Sequence, residues 1–395
     1  MTDPSPDSAD AAPALSPEEL HERIEAGERV ALLDVRDRDE FEEWRISGES
    51  VEATQVPYNE FVAARVTGTV GDLAAEYDLE SPVVAVCGRG EASDEVARAL
   101  SAAGIEATNL EDGMEGWARV YVSREIPHPD ATVLQYARPS SGCLAYLVVS
   151  DGEAAVVDPL RAFADRYVED ARDRGAELRF AVDTHVHADH VSGLRAVAAA
   201  ARTSGIDPEM VTPAGAEERG LSFELRTVED GDELAVGDAT LAALHAPGHT
   251  TEMTAFRLGD LLFAGDLLFL ESVARPDLES GDEGAPAAAR RLHRTLRDLL
   301  SSLPGDTLVA PGHYGDAAEP AADGTYTATL DDLRDRLATL SMDETAFVEF
   351  VRSDLPPRPA NDEEIVEINL GRRETDDEEA FELELGPNNC AATGG

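Results

Sequence analysis

The sequence contains no lysine, so its 32 basic residues are all arginine, set against 81 aspartates and glutamates for a net charge of −49. That imbalance argues against a nucleic-acid partner, because phosphate contacts need clustered Lys and Arg. It equally disfavours an anionic membrane surface. Cysteine is nearly absent too: Cys87, Cys143 and Cys390 are too few for a disulfide framework. No run approaches the roughly 18 apolar residues of a bilayer-spanning helix. The opening residues, Met1-Thr2-Asp3-Pro4-Ser5-Pro6-Asp7, have neither the basic nor the apolar region of a signal peptide. These absences together predict a reducing, cytoplasmic setting.

What remains is 43% hydrophobic, enough for ordered cores, in 395 residues, more than one core usually serves. Two domains are therefore expected. Residues 1–15, mostly Pro, Asp, Ser and Ala, read as a disordered tail. Ser16-Pro17-Glu18-Glu19 is a capping box with proline at the first helical position. From there to 129, apolar strands at 30–35, 82–87 and 105–110 alternate with helical stretches near Glu40 and over 93–103, which predicts a parallel α/β domain. Over 130–370 the pattern changes to hairpins turning at Asp151-Gly152, Gly237-Asp238 and Gly259-Asp260, with helices over 162–174 and 287–300, the latter entered through Pro286. That mixture predicts two sheets packed face to face with helices outside, followed by a helical C-terminal extension. Residues 371–395 read as an acidic tail.

Five of nine histidines fall in three short motifs. The run Thr184-His185-Val186-His187-Ala188-Asp189-His190 follows a predicted strand, and in extended chain residues two apart project to one side. His185 and His187 therefore converge, with Asp189 and His190 on the turn beyond. Pro247-Gly248-His249-Thr250 and Pro311-Gly312-His313 add two more imidazoles, and Gly265-Asp266 ends a strand in a carboxylate. One such histidine alone reads as a hydrogen-bonded core or surface residue. Seven potential ligands in ordered motifs read as a metal site, because imidazole and carboxylate together are what metals select.

These motifs, in this order, resemble the metallo-β-lactamase superfamily over about 133–316, and the resemblance implies an αββα sandwich. Asp158, ending the strand Val156-Val157-Asp158-Pro159, resembles the family's early aspartate that supports the metal loop. Filled with two zinc ions, the resemblance implies His185, His187 and His249 at one, Asp189, His190 and His313 at the other, and Asp266 between. Asp266-Leu267-Leu268-Phe269 through Arg275-Pro276-Asp277, with Cys143-Leu144-Ala145-Tyr146, looks most like persulfide dioxygenases. That likeness implies a single Fe(II) held by His185, His249 and Asp266, with His187, Asp189, His190 and His313 orienting ligands or substrate. Both metal arrangements stay open at this point. Arg275 would offer its planar fork to a substrate carboxylate, or form an ion pair. Cys143 reads as core, Cys390 is unassigned, Tyr314 is a candidate pocket residue, and His21, His128, His245 and His293 need no function.

Cys87 ends a buried strand, and Cys87-Gly88-Arg89-Gly90-Glu91-Ala92-Ser93 leads into a helix. Such a loop turns backbone N–H groups inward as an anion nest that favours a thiolate or persulfide. The alternative is a small buried cysteine at a strand end. With Leu33-Asp34-Val35-Arg36, Glu40-Phe41 and Gly113-Met114-Glu115-Gly116-Trp117, the region 16–129 resembles rhodaneses, although Trp44-Arg45-Ile46 and Ala92 depart from the family's pattern. The resemblance implies Cys87 as nucleophile, with Gly88, Arg89, Gly90 and Ser93 binding the transferred sulfur.

Joined, the two resemblances imply an enzyme of sulfur metabolism whose partners are a small thiol persulfide, O2, and thiosulfate or sulfite. A dinuclear zinc thioester hydrolase of the glyoxalase II type is the rival, and a sulfur carrier with a scaffold metal domain a second. The oligomeric state, a homodimer included, is open. The charge carries its own expectation, since self-repulsion of this size needs screening. The chain is expected to be halophilic and to lose its circular-dichroism signal as salt is dialysed away; full stability at low ionic strength would contradict this.

Overall fold

The computed structural model describes residues 12–353 and 355–392, and the chain divides into two compact units after Val120. In the first, β1 (Ala14–Leu15) leads to α1 (Pro17–Glu25), where the Ser16 hydroxyl accepts from Glu19 N at 3.1 Å. Only that half of the capping box forms, because the Glu19 carboxylate pairs with Arg23 one turn on. There follow β2 (Val30–Asp34), α2 (Arg38–Glu43), β3 (Val51–Gln55), α3 (Tyr58–Thr67) and α4 (Val70–Glu76). Then come β4 (Val83–Val86), α5 (Glu91–Ala102), β5 (Ala107–Leu110) and α6 (Gly113–Trp117). The strands form one parallel sheet in the order β1-β5-β4-β2-β3. Leu33 and Ala85 pack with Phe61, Val96 and Leu100 on one face, while Leu32, Val84 and Val86 are buried on the other. A parallel strand covered on both faces reads as a continuous apolar run, which is why 82–87 stands out in the sequence.

The expected tail over 1–15 is corrected at its end. Leu15 pairs with Leu110 and is buried, and Ala12 N donates to Asp94 Oδ1 at 3.0 Å, so ladder bonds capture a segment whose composition reads as solvated. The rest of that expectation, residues 1–11, lies outside the described residues.

In the second unit, β6 (Val122–Ile126), β7 (Thr132–Arg138), β8 (Cys143–Ser150) and β9 (Glu153–Val157) form an antiparallel meander. With α7 (Ala164–Asp173), β10 (Glu177–Val182), α8 (Leu194–Thr203), β11 (Glu209–Pro213) and β12 (Arg226–Val228), the sheet then grows by parallel pairing. A second sheet runs in sequence order through β13 (Glu233–Val236), β14 (Ala239–His245), β15 (Thr254–Leu258) and β16 (Leu261–Gly265). After α9 (Gly281–Ser302), β17 (Leu308–Pro311) joins β16 in parallel and β18 (Ala328–Thr329) closes the edge. Leu144, Tyr146 and Val148 of one sheet meet Leu241, Phe256 and Phe263 of the other in a shared core. Tyr167 and Val197 cover the outer face of the first sheet, and Leu292, Leu296 and Phe347 that of the second. The layers are αββα, as expected.

Four differences have local causes. β6 hydrogen-bonds along β7, so the boundary falls after Val120 and not at 129. Helix α9 starts at Gly281, and Pro286 lies within it, in its second turn. β3, α3 and α4 escape the sequence pattern, β3 being a half-exposed edge strand of mixed polarity. Beyond α10 (Leu330–Arg336), α11 (Glu344–Ser353) and α12 (Asp362–Asn369), the expected acidic tail contains α13 (Asp377–Leu383). Its acidic first turn faces outward while Ala380, Phe381, Glu384 and Cys390 are buried. Among the described residues no helix is long and apolar enough to cross a membrane.

Candidate functional site

The metal-type donors gather where β10 of one sheet and β14, β16 and β17 of the other end. Asp158, just past β9 with φ at 50°, sits behind them. Its carboxylate accepts from Thr184 N at 2.7 Å, Thr184 Oγ1 at 3.0 Å and His187 Nε2 at 3.1 Å. Because the Thr184 hydroxyl donates to Asp158, its oxygen is left to accept from His185 Nδ1 at 2.9 Å. His249 Nδ1 likewise donates to the Arg275 carbonyl at 3.0 Å. Each ring therefore presents a bare Nε2, the tautomer a metal needs. Burial, then His187, holds the His185 pKa well below the usual imidazole range, which keeps it neutral.

Asp266 completes the trio. Its Oδ2 lies 3.9 Å from His185 Nε2 and 3.7 Å from His249 Nε2. Neither Asp266 Oδ2 nor His185 Nε2 has a hydrogen-bond partner among the described residues, although both are buried. Buried polar atoms are seldom orphaned, so these donors fit an ion held by two histidines and one carboxylate. The other oxygen, Oδ1, accepts from His313 Nδ1 at 2.6 Å, and His313 Nε2 donates to Asp189 Oδ2 at 2.7 Å. Burial opposes charging His313, but the carboxylates of Asp266 and Asp189 outweigh it and raise its pKa well above normal. Gly312 has to be glycine, because a Cβ there would stand 2.5 Å from Asp266 Oδ1.

The structure thus brings His185, His249 and Asp266 together, and groups His187 instead with Asp158 and Asp183. Burial raises the Asp183 pKa to about 6. A further cluster joins Asp189, His190 and His313 to Cys143, and another joins Asp266 and His313 to Cys390. Both cysteines are buried against the donors, a placement sequence reasoning missed. Cys143 carries a readable signal, as it opens the strand that leaves the donor end of the sheet. Cys390 carries none, since a chain reversal brings it there: Arg275 N donates to its carbonyl at 3.0 Å. Asn369 was missed as well. Its side-chain amide donates to the carbonyls of His187 and His190 at 3.0 and 2.9 Å and accepts from Ser192 N at 2.8 Å, holding the histidine loop from outside.

Arg275 is a correction. It is 2% exposed, forks onto Asp277 at 2.8 and 2.9 Å, and donates Nη1 to the carbonyls of Pro357 and Asn389. A guanidinium spent in this way is not offered to a substrate carboxylate. It ties the C-terminal segment to the loop whose carbonyl orients His249.

In the first unit the Cys87 Sγ accepts from Gly90 N at 3.1 Å and lies 3.2 Å from Ser93 Oγ, so the thiol is cradled as the loop pattern predicts. The loop's outward carbonyls are used by α6: Met114 N donates to Cys87 O and Glu115 N to Gly88 O. Gly113, at φ 56°, allows this approach, for a Cβ would sit 2.1 Å from Cys87 O. Gly88 thus faces α6. The Arg89 side chain is exposed and paired with Glu115.

A family model described as metallo-beta-lactamase superfamily matches residues 139–313, and one described as rhodanese-like domain matches 16–120. The chain is a rhodanese-like domain followed by a metallo-β-lactamase-superfamily domain. Persulfide dioxygenase ETHE1, mitochondrial, of Homo sapiens is 27% identical over 248 residues, which is 60% of this chain and 86% of that protein. A hydroxyacylglutathione hydrolase of Parasynechococcus marenigrum is 33% identical over 180 residues, 42% of this chain and 64% of that protein. The crystal structure of ETHE1 from Myxococcus xanthus is similar at a TM-score of 0.51 and 25% identity, covering 64% of this chain and 99% of that one.

In the metallo-β-lactamase domain, Arg275→Met leaves the buried Asp277 carboxylate with only the Arg358 guanidinium, 3.8 Å away, and stability is expected to fall by about 3 kcal/mol. Denaturant titration reads this directly. An unchanged midpoint with a raised KM would instead return the guanidinium to substrate binding.

Proposed function

We propose that the metallo-β-lactamase domain oxidises a low-molecular-weight thiol persulfide with O2, using one Fe(II) on His185, His249 and Asp266. The observation that supports this most is the buried trio with its orphaned donor atoms, in a chain that spans 86% of a persulfide dioxygenase. In balance, RSSH + O2 + H2O gives RSH, sulfite and two protons. The outer sulfur loses four electrons to O2, and the S–S bond breaks to release the thiol. Iron bound at such a face supplies open positions for both reactants and accepts and returns the electrons. The chain's own residues do the rest. Thr184 and the Arg275 carbonyl fix the rings, His313 holds Asp266 in place, and burial excludes bulk water.

The rhodanese-like domain is read as a sulfane carrier, with Cys87 holding a persulfide on the Gly90 amide and the Ser93 hydroxyl. It would pass sulfur to the small thiol or load it onto sulfite as thiosulfate. One chain holding both activities raises the effective concentration of the shared intermediate. A zinc thioester hydrolase is the second reading, favoured by the similarity to the hydroxyacylglutathione hydrolase.

Oxygen uptake in high salt separates these. Iron-loaded protein given a small-thiol persulfide is expected to consume O2 and form sulfite. His249→Ala should abolish uptake, while Cys87→Ser should keep it and lose only thiosulfate transfer. No uptake, with thioester hydrolysis by the zinc form, would favour the hydrolase.

A further inference from the structure

Two buried thiols, Cys143 and Cys390, lie among the metal-type donors and have no part in the chemistry proposed so far. Cys390 stands at the open face itself. Its sulfur, a carboxylate oxygen of Asp266 and a ring nitrogen of His313 all lie within 4.8 Å of one another. We propose that Cys390 is the sulfane acceptor of the metal face, taking the outer sulfur of a small-thiol persulfide and presenting it for oxidation as a protein-bound persulfide. That role rests on persulfide oxidation at the face and adds the residue that holds the sulfur.

Backbone pairing puts the thiol there. Ala274 and Ala391 form an antiparallel bridge, Arg275 N donates to Cys390 O at 3.0 Å, and Ala392 N donates to Val273 O at 2.9 Å. Cys390 N turns back to Asn388 Oδ1 at 3.0 Å, while its thiol donates to Asn388 O at 3.5 Å. The Asn388 side-chain amide in turn donates to Ser141 O. Arg275 also faces the metal donors, because its carbonyl accepts from His249 Nδ1 at 3.0 Å. One residue thus orients a metal histidine through its carbonyl and Cys390 through its amide. Its Nη1, donating to Asn389 O at 2.9 Å, secures the same segment a second time.

An independent observation points the same way. Asp266 Oδ2 is buried without a hydrogen bond among the described residues, so the carboxylate beside the thiol is the one that faces the ion and its reactants. Access adds no requirement of its own. His185 and His249 are 1% exposed and Asp266 and Cys390 0%, so a sulfur that reaches the metal donors has already reached the thiol's depth. In the transfer, the Cys390 sulfur attacks the outer sulfur of RS–SH. A new S–S bond forms as the RS–S bond breaks, and the cysteine proton leaves on the small thiol. Cys390–S–SH and RSH result, with no net oxidation. The outer sulfur of Cys390–S–SH then loses four electrons to O2, water completes the oxygens of sulfite, and Cys390–SH returns with two protons released. The two steps sum to the balance for the free persulfide. Splitting the reaction in this way is the use of a covalent nucleophile, and the tether holds the sulfur at the face without binding energy from its carrier.

Mass spectrometry tests the acceptor apart from turnover. The iron-loaded full-length chain, carrying Cys87→Ser to remove the thiol of the other domain, is given glutathione persulfide in high salt without oxygen. Excess persulfide is removed, thiols are alkylated, and the cysteine peptides are weighed. Cys390 is expected to carry one added sulfur and Cys143 none. Admitting O2 to the unalkylated chain should release that sulfur as one sulfite. Sulfur on Cys390 with no sulfite afterwards would support the acceptor and contradict persulfide oxidation. An unlabelled Cys390, or sulfur on Cys143 in its place, would overturn the acceptor. So would a Cys390→Ser chain that keeps its iron and forms sulfite from free persulfide at the wild-type rate, a result that leaves the oxidation itself standing.

Discussion

The buried carboxylate of Asp158 is the contact on which the metal face depends. It lies where β9 ends, and it takes the backbone N–H of Thr184, the hydroxyl of Thr184 and the ring of His187. A hydroxyl has one proton, so committing it to Asp158 decides which tautomer His185 adopts and leaves its Nε2 bare. The sheet does more here than carry loops. Parallel pairing of β9 with β10 brings the two strand ends level, so the aspartate on one can fix the histidine run on the other. Remove the carboxylate, and an amide and a hydroxyl lose their acceptor in the interior, where an unmade hydrogen bond costs about 1–3 kcal/mol.

The same dependence extends outward. Asp266 and His313 hold each other, His313 holds Asp189, and Asp189 holds His190 at 3.0 Å. Opposite charges in a dry site are mutually stabilising only when every member is satisfied, and in this network Asp266 Oδ2, Asp189 Oδ1 and His190 Nε2 make no hydrogen bond among the described residues. The C-terminal extension closes the network from behind. Glu384 takes Val191 N at 3.0 Å and the buried Arg138 guanidinium at 2.8 Å, and Asn369 takes the loop backbone. A segment that looks like acidic solvent-facing chain is thereby part of what positions the histidines.

Most of the donor set is legible in the sequence because short motifs with Gly and Pro put imidazoles and carboxylates at strand ends, where metal binding is the chemistry they share. Residues 82–87 are legible because a strand buried on both faces has an unbroken apolar run. What escapes has a common cause. Cys390, Asn369 and Glu384 reach the site through contacts more than a hundred residues apart in sequence, and no local pattern records such contacts. Arg275 misleads for the opposite reason. A conspicuous arginine beside a metal aspartate reads as a ligand clamp, whereas Asp277, two residues on, occupies its fork.

The most direct measurement is a crystal structure of the iron-loaded chain with anomalous scattering at the iron edge. One iron peak is expected, bound by His185 Nε2, His249 Nε2 and Asp266 Oδ2, with His187 still turned to Asp158. Iron bound by His187 in place of Asp266, or no peak among these three residues, would contradict the assignment of the metal face.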